Sequence, residues 1–332
     1  MGRHAGARIG GNANNVFARL VGNKPDAPRI FLCAHFDTVE PTAGLEIGLQ
    51  DGVYSSKSDT ILGADDKAGM APAIEAVAVL AESGDSHGDV FLVLCVAEEI
   101  GLKGAMACEA IKGLGVDYGY VFDTGPPVGT FVNRVGSRSD FIARITGKPA
   151  HAGKHPEEGI NAIQTAGAAL ARMRLGRIDE VTTSNVGLIE GGSAVNVVPA
   201  NVILRGEARS FDQDKLDEQL SNMESAVRGA CKEYGATSEI FIESAYRGYH
   251  ISPGEPVILN AQSAARSIGF SGNLRDTLGG SDANAFNEKG VPTIVCGTGM
   301  EKIHTHDEFV SQKDLVDLTS LAIALARSAA GN

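Results

Sequence analysis

The sequence has few cysteines and no Cys-x-x-Cys pair. Its five cysteines are an odd number, so they fit neither a disulfide framework nor a zinc ribbon. Cys33, Cys95 and Cys296 lie inside apolar runs, where a cysteine is most simply a small buried hydrophobic residue. Cys33 stands two residues before His35 and would share its face of a strand. We interpret it as structural as well.

Positive charge and long apolar segments are also scarce. The formal net charge is -12 and the pI is near 5.1, which argues against nucleic acid, because affinity for phosphate backbones comes largely from Lys and Arg. The longest apolar runs, such as residues 90–97, are far shorter than the roughly 20 residues that span a bilayer. No charged-then-apolar signal segment opens the chain. We therefore predict a cytoplasmic protein that binds neither nucleic acid nor membranes.

Two common catalytic signatures are missing. The sequence has no Gly-x-Ser-x-Gly elbow of the kind that carries a serine nucleophile. Gly297-Thr-Gly299 lacks the third glycine of a dinucleotide-binding loop. Internal repeats and low-complexity linkers are absent too. These absences disfavour a serine hydrolase, a nucleotide-binding enzyme and a repeat protein.

The first part of the chain alternates short apolar runs with helix-like segments. The runs cover residues 29–34, 90–97, 118–122 and, much later, 292–296. They are rich in Val, Ile, Leu and Phe, which is typical of parallel strands buried on both faces. Residues 65–83 between the first two runs have apolar side chains at helical spacing. The pattern predicts an α/β fold with a mainly parallel sheet in a three-layer catalytic domain.

The character changes near residue 135. Residues 139–146, 196–209 and 238–244 read as strands, and residues 159–175 and 214–234 read as helices. We interpret these five elements as part of the β-α-β-β-α-β order of a ferredoxin-like layer. A length of 332 residues allows two domains. The predicted catalytic domain is residues 1–134 with 247–332, and the predicted inserted α+β domain is residues 135–246.

Several apolar runs end on a charged or imidazole side chain. His35 and Asp37 follow the first run, Glu98 and Glu99 the second, and Asp123 the third. Ligands of open α/β sheets bind at the carboxyl ends of the strands, so these side chains should converge. Crowded carboxylates repel one another and lose hydration unless cations lie between them. Oxygen and imidazole ligands predict two divalent ions, with zinc preferred and cobalt or manganese as alternatives.

The positions of these residues suggest individual roles. His35 and Asp37 are two apart on a predicted strand, so Asp37 can accept a hydrogen bond from the imidazole nitrogen that faces away from the metal. Glu98 and Glu99 are adjacent and would point apart, which lets Glu99 bind metal while Glu98 acts as the general base. Each residue alone has an ordinary structural explanation, such as a core histidine or a solvated Glu-Glu pair. We infer a metal site because all of these residues follow apolar runs that are predicted to be strands of one sheet.

Five stretches resemble the M20 metallopeptidases, especially their tripeptidase T-like branch. They are residues 34–39 (AHFDTV), 63–69 (GADDKAG), 97–105 (AEEIGLKGA), 122–123 (FD) and 303–308 (IHTHDE), in order over nearly the whole chain. The resemblance implies two metal ions bridged by Asp65. His35 and Asp123 would complete one site, and Glu99 and His304 the other. It also implies a cis peptide bond after Asp65. His306 is a possible substitute for His304, but the spacing to Glu308 favours His304.

The resemblance extends into the inserted domain. His151 in Ala-His-Ala-Gly is similar to the family's lid histidine, which in dimeric relatives reaches the partner's active site and stabilises an oxyanion. Asn196 and Arg209 are similar to substrate-contact residues. Residues Gly279, Gly280 and Ser281 are similar to a Gly-rich substrate loop, whose backbone amides can bind a carboxylate. These similarities imply a lid and dimerisation domain, and a homodimer. The alternative is that His151 and Arg209 are only surface residues of a dimer layer.

The activity implied by the resemblance is hydrolysis of small peptides. Aspartate at position 123 tends to accompany aminopeptidases and dipeptidases in the family, so we expect an aminopeptidase acting on tripeptides or dipeptides. An N-acyl amino acid deacylase is the first alternative, and a non-catalytic binding protein on a hydrolase fold is the second. Family members usually carry an N-terminal helix and strand before the stretch that begins here. We therefore expect either a start further upstream or a catalytic domain without a covering helix.

Overall fold

The structure is a computed structural model that describes residues 5–331. Its strands are β1 (Val16–Leu20), β2 (Ile30–His35), β3 (Ile47–Gln50), β4 (Val53–Ser56), β5 (Val90–Cys95), β6 (Tyr118–Thr124), β7 (Thr130–Val135), β8 (Ser137–Thr146), β9 (Gly176–Arg177), β10 (Thr182–Gly191), β11 (Asn201–Ser210), β12 (Thr237–Tyr246), β13 (Tyr249–His250), β14 (Asn273–Thr277), β15 (Thr293–Gly297) and β16 (Phe309–Ser311). Its α-helices are α1 (Ala5–Arg8), α2 (Ala64–Ser83), α3 (Lys103–Met106), α4 (Ala162–Arg172), α5 (Gln213–Tyr234), α6 (Pro256–Ser267), α7 (Asp282–Glu288) and α8 (Gln312–Ala329).

The chain divides into two compact units. Among the described residues, the first consists of 5–135 together with 249–331, and the second of Gly136–Gly248. Among the helices that the structure describes, none is long and apolar enough to cross a membrane.

The first unit is built on a sheet in the order β1-β5-β2-β6-β15-β7-β13, with β14 paired to β7. Strands β5, β2, β6 and β15 run parallel to one another. The sheet also contains antiparallel pairs, of β1 with β5 and of β7 with β15. The predicted mainly parallel sheet is therefore confirmed. A smaller antiparallel sheet, β16-β4-β3, belongs to the same unit.

Helices cover both faces of the large sheet. Ile30, Leu32 and Ala34 of β2 belong to a core that also contains buried residues of α2, α6 and α8. The intervening side chains of a strand point to the opposite face. On that face the ring of Phe31 lies 4.9 Å from the ring of Phe286 in α7. The three-layer α/β arrangement predicted from the sequence is confirmed.

The second unit contains one antiparallel sheet in the order β12-β8-β11-β10-β9. Alternate residues of β8, namely Phe141, Ala143 and Ile145, share a core with buried residues of α4 and α5. Without the two-residue β9, the element order is β-α-β-β-α-β. This confirms the ferredoxin-like layer.

Several boundaries in the second unit differ from the prediction. Strand β10 was not located, because only Thr182 and Ser184 of its ten residues are buried and its pairing shifts after Val186, so apolar alternation is missing. Helix α4 is shorter than predicted, because the Asn161 side chain accepts a hydrogen bond from the Gln164 amide and fixes the start. Strand β11 begins at residue 201 instead of 196.

Helix α5 matches its predicted range closely because both of its ends are marked in the sequence. The Asp212 carboxylate accepts a hydrogen bond from the Lys215 amide at 3.2 Å and caps the first turn. Gly235 follows the last turn with a φ of 75°, a conformation that glycine adopts at low cost.

Candidate metal centre

Three neighbouring strands bring the predicted residues to one edge of the sheet. Strands β5, β2 and β6 are adjacent and parallel, so their carboxyl ends lie side by side. His35 is the last residue of β2, Asp123 lies one residue before the end of β6, and Glu98 and Glu99 follow the end of β5. These side chains converge because parallel strands that lie side by side end at the same edge of the sheet.

Asp65 lies between two imidazoles. Its Oδ1 is 3.0 Å from Nε2 of His35, and its Oδ2 is 3.0 Å from Nε2 of His304. The two oxygens of one carboxylate therefore face two different histidines. This is the arrangement expected of a carboxylate that bridges two cations.

Two groups of possible ligands share Asp65. One contains His35, Asp65 and Asp123, the other contains Asp65, Glu99 and His304, and in each group the ligand atoms lie within 4.8 Å of one another. Oε1 of Glu99 lies 3.2 Å from His304 Nε2, yet this buried oxygen has no hydrogen-bond partner among the residues described. A buried carboxylate oxygen without a partner is costly unless a cation contacts it.

The charges around the site also fit bound cations. Burial raises the pKa of Asp123 well above its usual value, and the carboxylates of Glu98 and Asp65 raise it further. Asp65 and Glu99 raise the pKa of His304 to about 10. Without cations, these groups would therefore retain protons at neutral pH. Divalent ions displace such protons, so the donor set fits two of them.

Asp37 contacts the backbone of the glutamate pair. The sequence pattern predicts Asp37 on the same strand as His35, but strand β2 ends at His35. Asp37 therefore lies beyond the strand. Its carboxylate accepts hydrogen bonds from the Glu98 amide at 3.0 Å and the Glu99 amide at 3.1 Å. Nδ1 of His35 is 3.1 Å from the Asp37 carbonyl oxygen and 3.6 Å from the carboxylate. Asp37 thus positions both the imidazole and the segment that carries the glutamates.

The expectation that Glu98 and Glu99 point apart is wrong. One oxygen from each carboxylate lies within 4.8 Å of the other and of a ring nitrogen of His35. The alternation of a strand does not apply, because β5 ends at Cys95 and Ala97 has a left-handed φ of 58°. Both carboxylates therefore face the same site, with Glu98 buried and Glu99 partly exposed.

Two carboxylates that sequence reasoning did not assign also hold ligand segments in place. Oε2 of buried Glu308 accepts a hydrogen bond from the Gly63 amide at 2.6 Å, and Oε1 accepts one from the Asp65 amide at 2.8 Å. Oδ2 of Asp66 accepts a hydrogen bond from the His35 amide at 3.1 Å. The peptide bond between Asp65 and Asp66 is cis, as the resemblance implied. Glu308 lies in the stretch 303–308, but nothing in that stretch indicated that its carboxylate accepts hydrogen bonds from the Gly63 and Asp65 amides.

His304, and not His306, faces the shared aspartate. His306 is exposed, with Nε2 at 2.9 Å from Glu40 and Nδ1 at 3.1 Å from Asp59. His304 has a left-handed φ of 64°, an uncommon conformation for a non-glycine residue. Such conformations cluster at functional sites.

The predicted residues of the second unit fall into two places within it. His151 is exposed, pairs with Val197 through an isolated β-bridge, and accepts a hydrogen bond at Nδ1 from the Gly153 amide at 3.1 Å. The Asn196 carbonyl accepts a hydrogen bond from the neighbouring Ala152 amide at 3.0 Å. His151 and Asn196 thus belong to one surface segment.

Arg209 lies on β11 and is held by an acidic neighbour. Its guanidinium donates two hydrogen bonds to Glu207, at 2.8 and 2.9 Å, and one to the Tyr246 hydroxyl at 3.4 Å. Burial opposes its charge, but these contacts outweigh burial and raise the pKa of Arg209. The side chain is therefore preorganised and carries a permanent positive charge.

The Gly279-Gly280-Ser281 segment precedes helix α7. The Gly279 amide donates to Thr277 Oγ1 at 3.0 Å, and the Ser281 amide donates to Asn284 Oδ1 at 3.1 Å. Ser281 Oγ accepts a hydrogen bond from the Ala283 amide and caps the helix. The polar groups of Ser281 thus serve the capping box, which is a structural use of the residue.

Comparisons with known proteins place the chain in one peptidase family. The model of peptidase family M20/M25/M40 matches residues 31–328. The chain is 38% identical to the uncharacterized protein YqjE of Bacillus subtilis over 321 residues, which is 97% of this chain and 86% of that protein.

Two solved structures are similar over the full length. A tripeptidase from Staphylococcus aureus matches with a TM-score of 0.94 and 37% identity, over 100% of this chain and 88% of its own. The aminopeptidase PepT from Bacillus cereus matches with a TM-score of 0.88 and 37% identity, over 99% of this chain and 88% of its own.

Proposed function

We propose that this chain, which belongs to peptidase family M20/M25/M40, is a two-metal aminopeptidase that cleaves tripeptides or dipeptides. The family makes it a hydrolase that acts on peptide bonds. The observation that carries the finer proposal is the pair of ligand groups that share Asp65, with the buried carboxylate of Glu98 beside them.

We assign His35, Asp65 and Asp123 to one ion, and Asp65, Glu99 and His304 to the other. Zinc suits these nitrogen and oxygen donors, and cobalt or manganese are alternatives. When bound, such ions supply Lewis acidity, which polarises a carbonyl group and lowers the pKa of a water molecule.

Glu98 is the proposed general base. Burial raises its pKa well above the usual value, and Asp282 adds to this effect, so the carboxylate has a higher proton affinity than an exposed glutamate. Glu98 accepts a proton from the attacking water as the oxygen bonds to the substrate carbonyl carbon. It then passes that proton to the amine nitrogen as the carbon–nitrogen bond breaks.

His151 is proposed to stabilise the oxyanion. Its Nδ1 accepts a hydrogen bond from the Gly153 amide, so the proton of the neutral ring lies on Nε2, which is the donor available to a substrate. Arg209, Asn196 and the Gly279 to Ser281 segment remain proposed substrate contacts. We also propose that the Gly136–Gly248 unit acts as a lid and forms the interface of a homodimer.

Three observations support an aminopeptidase acting on small peptides. Aspartate occupies position 123, one of the matching structures is a tripeptidase, and another is an aminopeptidase. A free tripeptide, a free dipeptide, the N-acetylated tripeptide and an N-acetylated amino acid form the matched substrate panel for the metal-loaded protein.

The proposal predicts release of the N-terminal residue from the free peptides and no cleavage when the amine is acetylated. A preference for the acetylated amino acid would instead identify a deacylase. Failure to bind zinc, cobalt or manganese, together with inactivity on every substrate, would identify a non-catalytic binding protein. The chelated protein is the control.

A further inference from the structure

A second group of metal-binding side chains lies in the core, on the face of the large sheet that α7 covers. Cys33 of β2 and Cys95 of β5 are both fully buried free thiols, and their sulfur atoms are 4.0 Å apart. Asp282 is the first residue of α7 and is 1% exposed. One ligand atom from each of these three residues lies within 4.8 Å of the others.

Asp282 is the unexplained member of this group. Neither of its buried carboxylate oxygens has a hydrogen bond of normal geometry among the residues described, and the polar side chain that interacts with the carboxylate is the Cys95 thiol. A buried carboxylate without partners costs several kcal/mol in a typical protein, roughly the penalty for an unpaired buried charge. Native structures retain such groups when an ion, a water molecule or a function accounts for them.

We propose that Cys33, Cys95 and Asp282 form a third metal site, which takes a thiophilic divalent ion such as zinc in a structural role. It contains none of the residues assigned to the centre at Asp65 and does not depend on the proposed activity. A zinc–sulfur distance of about 2.3 Å places two tetrahedral thiolates about 3.8 Å apart. The observed 4.0 Å separation is close to this value. Binding displaces the two thiol protons to solvent.

A redox role for the cysteine pair fits the geometry less well. Both thiols are fully buried, so oxidants have no direct access to them. A disulfide would also leave both oxygens of Asp282 without partners. A metal ion satisfies the thiols and the carboxylate together.

The position of this site gives the ion a mechanical role. Cys95 ends β5, Cys33 lies two residues before His35, and Asp282 begins α7 directly after Ser281. An ion held by these residues would tie together the strand ends that carry the ligands of the Asp65 centre.

Cobalt substitution tests the proposal. The full chain is unfolded, stripped of metal with a chelator and refolded with Co²⁺. Thiolate ligands give cobalt an intense near-ultraviolet charge-transfer band, which nitrogen and oxygen ligands do not give. We expect this band and three cobalt ions per chain. Absence of the band, with two ions or fewer, would overturn the proposal.

Variants locate the band. Cys95→Ser and Asp282→Asn should each weaken the band and lower the cobalt content by one ion, whereas Cys231→Ser, a buried cysteine of α5, should change neither. His304→Ala should lose activity and keep the band, which separates this site from the proposed active centre. If the site variants do not fold, a zinc K-edge spectrum of the wild-type protein decides, with a sulfur shell expected and an all-nitrogen and oxygen shell contradicting the proposal.

Discussion

The edge of the parallel sheet and the antiparallel unit present their candidate residues in different ways. At the sheet edge, Asp65 contacts two histidines, and the carboxylates of partly exposed Asp37 and buried Glu308 hold the backbone of the ligand segments. In the second unit, His151 and Asn196 are exposed. The contacts within the first site hold its side chains in place, whereas in the second unit Arg209 is held by Glu207 but His151 and Asn196 are exposed.

The direction of the strands explains why the two regions differ. Parallel strands deliver their last residues to one edge whatever those residues are, so three strand ends suffice to gather a ligand set. An antiparallel sheet has no such common end, and its alternate side chains line a face. The comparison predicts large effects for changes at the sheet edge and smaller effects for changes in the second unit.

Glu98→Gln should give the largest loss. Removing a general base costs about 10² to 10⁴-fold in rate, and glutamine keeps the shape of the side chain while losing its proton affinity. Turnover of a free tripeptide should fall by about 10³-fold or more, with the metal content unchanged. Glu99→Gln is the matched control, since loss of this ligand should lower the metal content. Substantial activity in Glu98→Gln would remove this residue from the mechanism.

His151→Ala should give the next largest loss of activity. It tests whether the second unit contributes to catalysis. Loss of one oxyanion donor costs about 10² to 10³-fold in kcat, and KM and metal content should stay close to wild type. His155→Ala changes another exposed histidine of the same unit and is the control. Equal activity of the two variants would show that His151 is only a surface residue.

Glu308→Gln should weaken metal binding without touching a ligand. The buried amide group would place its N–H₂ against the Gly63 or Asp65 amide and leave a donor unpaired. Residues that support metal ligands typically contribute 10 to 100-fold, and we expect about a 10-fold weaker metal affinity, with activity recovering at saturating metal. A calorimetric metal titration measures it.

Exposed Asp307→Asn is the control for this titration, because it changes the neighbouring charge without contacting either amide. If Glu308→Gln and Asp307→Asn bind metal equally well, the two hydrogen bonds of Glu308 have no effect on the site.

Asp212→Ala should have the smallest effect on function and a measurable effect on stability. It removes the N-cap of α5, a loss worth about 1 kcal/mol. Urea unfolding should show this destabilisation, and Glu218→Ala, at an exposed position in the second turn of the same helix, should show less. Metal content should not change in either variant. A change in metal content would contradict the independence of the two regions.

The sequence predicted the parts of the fold and site that follow from pattern. Buried strands such as Ile30–His35 are continuous apolar runs, and their terminal residues converge because the strands are parallel. The sequence did not predict strand β10, because most of its side chains are exposed and it therefore lacks an alternating apolar pattern. The predicted direction of the Glu98 and Glu99 side chains was wrong because these residues lie beyond the end of strand β5, after Ala97 with its left-handed φ.

Other features depend on contacts between residues far apart in the chain. Glu308 reaches back to Gly63 and Asp65, and Asp282 approaches Cys33 and Cys95. No local pattern specifies such pairs, since a buried carboxylate looks like any other acidic residue in a sequence. They become visible only when burial and hydrogen-bond partners are known.

Anomalous diffraction from crystals of the zinc-loaded protein would locate the ions at the proposed two-metal site. At the Asp65 centre we expect two peaks, one on each side of the carboxylate and roughly 3.5 to 4 Å apart as in other two-metal sites, in addition to the peak expected at the proposed third site. One should contact His35 and Asp123, and the other Glu99 and His304. A single peak beside Asp65, or two peaks that do not share its carboxylate, would show that Asp65 does not bridge two ions.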